Sequence, residues 1–148
     1  MPVPLAFVKS MDRLFFDTNV LLDVLEVRAP WFPEAVECLA RVRSDQCRGA
    51  TTAITLSDIA YIQRATDTSK IYSVFQCLRE FLEVATLDAA VVDASLGNRL
   101  PDIEDGFQYQ AAIAWGATHL LTRNVKDFPS DGVLKVESPA EYLVQRCK

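Results

Sequence analysis

Acidic and amide side chains recur in this sequence where apolar segments give way to polar ones. They are Asp17, Asp58, Asp105, Asn124 and Asp127. If the apolar segments are strands of one parallel sheet, the side chains that follow them lie at its carboxyl edge, where such sheets bind ligands. Carboxylate and amide oxygens are the ligands that Mg²⁺ and Mn²⁺ prefer. The pattern therefore predicts a divalent-metal site at that edge.

Each of these residues also has a purely structural interpretation, because short polar side chains cap helices. Thr55 with Asp58, and Asp102 with Asp105, each have the three-residue spacing of a capping box, in which the later carboxylate folds back on the cap. Several caps along one edge would crowd negative charge, which costs free energy unless a cation is present. Each residue taken alone is better interpreted as a helix cap, whereas the whole cluster is better interpreted as a metal site.

The chemistry that fits such a site is attack by a metal-activated water on a phosphodiester or phosphate ester. Other nucleophiles have little support, because the chain has a single histidine, His119, inside an apolar run that predicts a strand. The four cysteines are scattered, without the close pairs typical of zinc sites. Arg123 and Lys126 flank the last acidic segment, where they either contact phosphates or remain ordinary solvated charges.

The elements that must position these residues alternate along the chain. Predicted strands cover residues 14–16, 48–51, 83–87, 118–121 and 133–136, and predicted helices cover 19–26, 33–44, a segment from Thr55, 71–82, a segment after Asp88, 107–115 and 139–145. In the helix from Thr55, Ile62 is expected to be largely buried. Strands that alternate with helices predict a single α/β domain with a mainly parallel sheet.

Composition limits the class of protein. The 148 residues carry a net charge of −5, which argues against a protein that coats nucleic acid through bulk charge. No apolar run approaches the roughly 18 residues of a membrane span, and residues 1–10 lack the pattern of a signal peptide. We therefore expect a cytoplasmic protein with reduced thiols. Residues 1–12 are interpreted as an extension before a domain at 13–148, and Met11 is an alternative start.

The acidic segments, in this order, resemble the PIN domain over nearly the whole chain from Arg13 onwards. The matching segments are 16–22 (FDTNVLL), 53–59 (AITLSDI), 102–105 (DIED) with 111–114 (AAIA), and 121–124 (LTRN) with 127–128 (DF). Within that family the chain is similar to bacterial VapC-like toxins. The resemblance implies a three-layer α/β/α sandwich around a mainly parallel sheet. It further implies a Mg²⁺-dependent ribonuclease that forms a homodimer and is neutralised by a small antitoxin protein.

The resemblance also implies roles for individual residues. Asp17 and Asp105 match metal-binding aspartates of the family. Asp58 stands where glutamate is most common and is one methylene shorter, and Asn124 stands at a fourth position that is often aspartate. Asp127 is the candidate for that fourth charge, its alternative being a surface ion pair with Arg123. Supporting hydrogen bonds are assigned to Thr18, Asn19, Glu104 and Thr122, and RNA contacts to Arg123 and Lys126.

Two other interpretations of the sequence remain open. A haloacid-dehalogenase-type phosphatase also places an aspartate after an apolar strand, but its second aspartate, two residues later, is Asn19 here. A catalytically weak PIN-like module that only binds a protein partner would account for Asp58 and Asn124. Trp31 and Phe32, which stand between two prolines, predict an apolar surface for a partner or a second copy of the chain.

Overall fold

The computed structural model describes residues 10–130 and 132–146. The interpretation of residues 1–12 as an extension falls mostly outside this range, as does Cys147. The described chain forms one five-stranded sheet of strands β1 to β5. These strands are Arg13–Phe16, Arg48–Thr51, Glu83–Val84, His119–Leu121 and Lys135–Glu137.

The sheet is parallel throughout, with the strand order β3-β2-β1-β4-β5. The first strand, β1, lies at the centre. The chain adds β2 and β3 on one side of it and then crosses over to add β4 and β5 on the other. The strand order therefore reverses between β1 and β4. Ligands of open α/β sheets bind in the crevice beyond the carboxyl ends of the strands at such a point.

Seven α-helices surround the sheet in the described part of the chain. Helices α1 to α7 are Thr18–Leu25, Phe32–Arg43, Ala53–Ile62, Thr68–Arg79, Ala89–Asn98, Ile103–Trp115 and Pro139–Arg146, and a 3₁₀ turn, Val125–Asp127, follows β4. None of the helices in the described ranges combines the length and apolarity that a membrane crossing requires.

The alternating side chains of β1 separate two hydrophobic cores. Leu14 and Phe16 pack on one face of the sheet with residues of α1, α2, α3, α4 and α7. Phe15 packs on the opposite face with α5 and α6, where Tyr109 and Ala112 are fully buried. A strand turns successive side chains to opposite faces, so one apolar strand serves both layers. The predicted α/β/α sandwich with a parallel central sheet is confirmed.

Two details of the helix α3 differ from the sequence prediction. The helix begins earlier than predicted, because Thr52 is its N-cap and accepts a hydrogen bond from the Thr55 backbone N–H at 3.2 Å. Asp58 is therefore not the partner of a cap at Thr55. Ile62 is 46% exposed rather than buried. The apolar pattern of this helix does not reveal which face the rest of the chain covers.

Candidate active site

Asp17 lies at the carboxyl end of β1, where it caps α1. Its Oδ1 accepts hydrogen bonds from the Thr18 backbone N–H at 2.9 Å and from Gln108 Nε2 at 3.4 Å. Its Oδ2 accepts from Thr122 Oγ1 at 2.9 Å and from Asn19 Nδ2 at 3.2 Å. The side chain is almost completely buried. The Asp17 carboxylate is thus held by three predicted site residues, namely Thr18, Asn19 and Thr122.

The four donors are all neutral, and this determines the electrostatics of Asp17. Burial raises its pKa, although the hydrogen bonds from Thr122, Thr18, Gln108 and Asn19 act in the opposite direction. Removal from water destabilises the ionised form more than these bonds stabilise it. A cation placed beside Asp17 would therefore favour its charged form strongly.

Gln108 is a site residue that the sequence analysis missed. It is buried in α6, and besides Asp17 it donates to Thr55 Oγ1 at 2.6 Å and accepts from Thr52 Oγ1. Thr55 in turn shares a 2.9 Å hydrogen bond with Thr18. The sequence does contain one signal for this role. Gln108 lies three residues after Asp105, on the same face of a helix that is otherwise apolar there.

A cleft of about 360 Å³ opens beside Asp17. Its polar lining consists of Asp17, Thr18, Asn19, Asp58, Asp102, Glu104, Asp105 and Asn124, and its apolar lining of Leu22, Tyr61 and Ile62. The structure thus places most of the predicted site residues around one cleft. Thr122 lies behind it, hydrogen-bonded to Asp17.

Asp105 experiences the negative charge of its neighbours. Burial, followed by the charges of Asp17, Asp102 and Asp127, raises its pKa to about 6. Its backbone N–H donates to Asp102 Oδ1 at 3.1 Å, which is the helix cap expected from the sequence. The cap and the charge cluster therefore coexist in the same segment.

Glu104 interacts with Asp58 across the cleft. A hydrogen bond with the Asp58 carboxyl, followed by burial and by the charges of Asp58, Asp102 and Asp105, raises the pKa of Glu104 to about 7. This hydrogen bond links a side chain of α3 to one of α6 at the cleft. The shorter Asp58 side chain thus has a partner in Glu104.

The remaining candidates lie at the margin of the cleft. Asn124 lines it, whereas Asp127 is exposed in the 3₁₀ turn and acts on Asp105 through its charge. Lys126 is exposed beside it. The Asp127 backbone N–H donates to the Asn124 carbonyl at 2.9 Å, which links the two residues.

Arg123 has a different environment from the one expected. Its guanidinium makes a two-pronged ion pair with the buried Asp23, at 2.7 Å and 3.2 Å, and lies 3.9 Å from the centroid of the Trp31 ring. No surface ion pair joins it to Asp127 in the described part of the chain. Contact between Arg123 and RNA stays a prediction.

The donor set around the cleft suits a hard divalent cation that retains water. Among residues 10–130 and 132–146, no three His, Cys, Asp or Glu side chains stand close enough to form a ready-made metal cage. Mg²⁺, however, is commonly bound by one or two carboxylates together with waters and substrate phosphates. Asp17 and Asp105, with the Asn124 amide at the rim, match that mode of binding.

Comparisons with known proteins agree with this geometry. The sequence model of the PIN domain matches residues 13–126. A chain of a toxin-antitoxin complex from Klebsiella pneumoniae superposes with a TM-score of 0.64 at 19% identity, over 85% of this chain and 97% of that one. A chain of VapBC2 from Rickettsia felis, in a structure described as bound to a DNA fragment from the VapBC2 promoter, superposes with a TM-score of 0.62 at 18% sequence identity. The match covers 85% of this chain and 98% of that one. No curated protein matches significantly.

The chain belongs to the PIN domain family. The family resemblance predicted from the sequence is thereby confirmed, and the phosphatase interpretation is set aside. At these levels of identity the two solved structures establish the shared fold.

Proposed function

We propose that this protein is a Mg²⁺- or Mn²⁺-dependent endoribonuclease. The observation that carries the proposal is Asp17, a buried carboxylate held by neutral donors at the switch point of the sheet, with one side open to an acidic cleft. Family membership supports the same conclusion. Phosphodiester hydrolysis is the chemistry for which such an arrangement is best suited.

Asp17 and Asp105 would hold the metal ion, with Asn124 contributing an amide oxygen or a bound water. When bound, the ion would neutralise charge on the scissile phosphate and acidify a water that serves as nucleophile. Thr122, Asn19 and Gln108 keep the Asp17 carboxylate in one orientation, so that little reorganisation is needed during the reaction.

The remaining charged residues act at the rim. Lys126 is exposed, two residues after the cleft residue Asn124, and is the freer of the two predicted RNA contacts, because Arg123 is paired with Asp23. A proton held between Asp58 and Glu104 would remove one of their two negative charges, which would limit the negative charge that an approaching phosphate meets.

The biological role that we propose is the toxin of a type II toxin-antitoxin pair. The support is the fold shared with chains from two structures named as toxin-antitoxin or VapBC complexes. On this proposal the chain forms a homodimer and a small antitoxin protein neutralises it.

The direct test is cleavage of a single-stranded RNA by the purified protein. We expect cleavage with Mg²⁺ or Mn²⁺, none with excess chelator, and recovery when the metal is restored. RNA that remains intact with either metal, under conditions where the protein is folded, would refute the ribonuclease proposal.

A PIN-like module that only binds a protein partner is the second candidate. Two observations favour it, namely the engagement of Asp58 with Glu104 and the uncharged Asn124 at the rim. Calorimetric titration with Mn²⁺ separates the two proposals. The enzyme should bind the ion and lose that binding in Asp17→Asn, whereas the binding module should give no heat of binding.

A further inference from the structure

One wall of the acidic cleft is apolar and unusually exposed. Tyr61 and Ile62 line it with 66% and 46% of their surfaces exposed. They lie three and four residues after Asp58 on α3, which places them on the same helical face as that carboxylate. A large aromatic side chain therefore stands beside the acidic residues and is open to solvent.

Tyr61 is paired with a cation. The Arg64 guanidinium lies 4.2 Å from the centroid of its ring, and Arg64 Nη1 donates to the Tyr61 carbonyl at 2.9 Å. In the part of the chain that the structure describes, Arg64 makes no salt bridge. Its positive charge is thus not neutralised by a carboxylate, although the cleft nearby is acidic.

We infer that Tyr61 and Arg64 form a stacking platform for a nucleobase of a single-stranded RNA whose backbone lies in the cleft. The inference rests on the proposed ribonuclease function and adds a base-binding contact to it. Unpaired bases are recognised by stacking on aromatic rings and on guanidinium planes. Arg64 also supplies the positive charge that a phosphate backbone requires in a protein of net charge −5.

RNA is favoured over a protein partner because the platform is continuous with the acidic cleft. A base stacked on Tyr61 would belong to a strand that also passes Asp58 and Asp17. Stacking tolerates any base, since every base has a π-face, so the platform would select unpaired strands rather than a particular sequence.

The test compares steady-state cleavage of a labelled single-stranded RNA of mixed sequence by the parent and by three variants. Tyr61→Ala should raise KM about tenfold, the order expected for losing one stacked base, and leave kcat within about twofold. Tyr61→Phe, which keeps the ring, should retain the parent KM. Tyr72→Ala removes a tyrosine that is equally exposed, at 67%, on α4 and outside the cleft, and should also retain it.

The outcomes of this test distinguish the stacking platform from the ribonuclease function on which it depends. Metal-dependent cleavage by the parent, with an unchanged KM in Tyr61→Ala, would overturn the platform and leave the ribonuclease standing. The same unchanged KM with an altered sedimentation coefficient would assign this face to a second copy of the chain and also overturn it. Failure of every protein, including the parent, to cleave or bind RNA would overturn both.

Discussion

The Asp17 carboxylate accepts four hydrogen bonds, and none of the donors carries a positive charge. Arg123, which follows the Asp17 partner Thr122 in the sequence, pairs with Asp23 instead. Asp17 is therefore rigidly held and remains electrostatically unsatisfied. That combination suits a group that must bind an external cation in a fixed position.

The first prediction concerns a single residue, Gln108. Gln108→Met keeps the approximate volume but removes the donor to Asp17 and the acceptor for Thr52. We expect a loss of about 1–3 kcal/mol in the free energy of unfolding, because buried polar groups are left unpaired, together with slower RNA cleavage. Urea denaturation and cleavage rates measure the two effects.

Gln110→Met is the matched control, since Gln110 lies on the same helix but lines a different pocket. We expect it to change stability by less than about 0.5 kcal/mol. A Gln108→Met protein as stable and as active as the parent would show that Gln108 does not position Asp17.

The second prediction concerns the residue that supplies the fourth negative charge of the site. If Asp127 supplies it, Asp127→Asn should raise the Mg²⁺ concentration that gives half-maximal cleavage and leave thermal stability nearly unchanged. The influence of Asp127 on the pKa of Asp105 supports this assignment. If Asn124→Ala raises that concentration and Asp127→Asn does not, Asn124 holds the role instead.

The sequence was sufficient to predict the acidic residues that line the cleft. It was insufficient to predict the residues that form hydrogen bonds and ion pairs around them. Asp17, Asp58 and Asp105 were predicted because strand ends and helix starts converge in a parallel sheet. Gln108 was missed because its role depends on the depth at which α6 packs. The pairing of Arg123 with Asp23, 100 residues apart, also depends on tertiary packing.

Local chemistry defined three of the helix ends correctly. Asp88 and Ser138 cap α5 and α7 as predicted, and Gly116 ends α6 in the left-handed conformation, with φ of 86°. Strand lengths were less predictable. The predicted strand 83–87 is only Glu83–Val84, because pairing with β2 limits its length.

A third prediction concerns the pH dependence of stability, which involves His119 where β4 contacts α7. His119 is a buried strand residue, as predicted. Its Nε2 accepts a hydrogen bond from Arg146 Nη2 at 3.2 Å, and its Nδ1 shares one with Thr118 Oγ1 at 2.7 Å. Burial lowers its pKa below the usual 6.5. The charged groups around it are Asp12, Glu137, Arg146 and Lys135.

Because the folded pKa of His119 is depressed, the unfolded chain binds a proton below pH 6.5 that the folded protein does not. The contribution of His119 to stability is therefore complete above 6.5 and is lost as the pH falls through its folded pKa. We expect the melting temperature of the parent to fall more, between pH 7 and roughly pH 5, than that of His119→Gln. Parallel melting curves across this range would contradict the expectation.

At the scale of the whole molecule, several large apolar side chains remain exposed. Val27 and Trp31 are 63% and 42% exposed. We therefore predict a homodimer. Light scattering at tens of micromolar protein should give twice the monomer mass of 16.5 kDa, and a monomer mass there would count against it.

The charge of the whole molecule makes the metal necessary for the proposed activity. With a net charge of −5 and an acidic cleft, the protein repels the RNA backbone until a cation neutralises the site. The proposed activity thus depends on Asp17 as the group that holds that cation.

The cleavage rate of Asp17→Asn tests this claim most directly. The substitution keeps the size of the side chain and removes its charge, so we predict a rate at least about a hundredfold below the parent at saturating Mg²⁺. Asp93→Asn, an exposed aspartate on α5 away from the cleft, should cleave at the parent rate. A folded Asp17→Asn protein that cleaves RNA as fast as the parent would contradict the account.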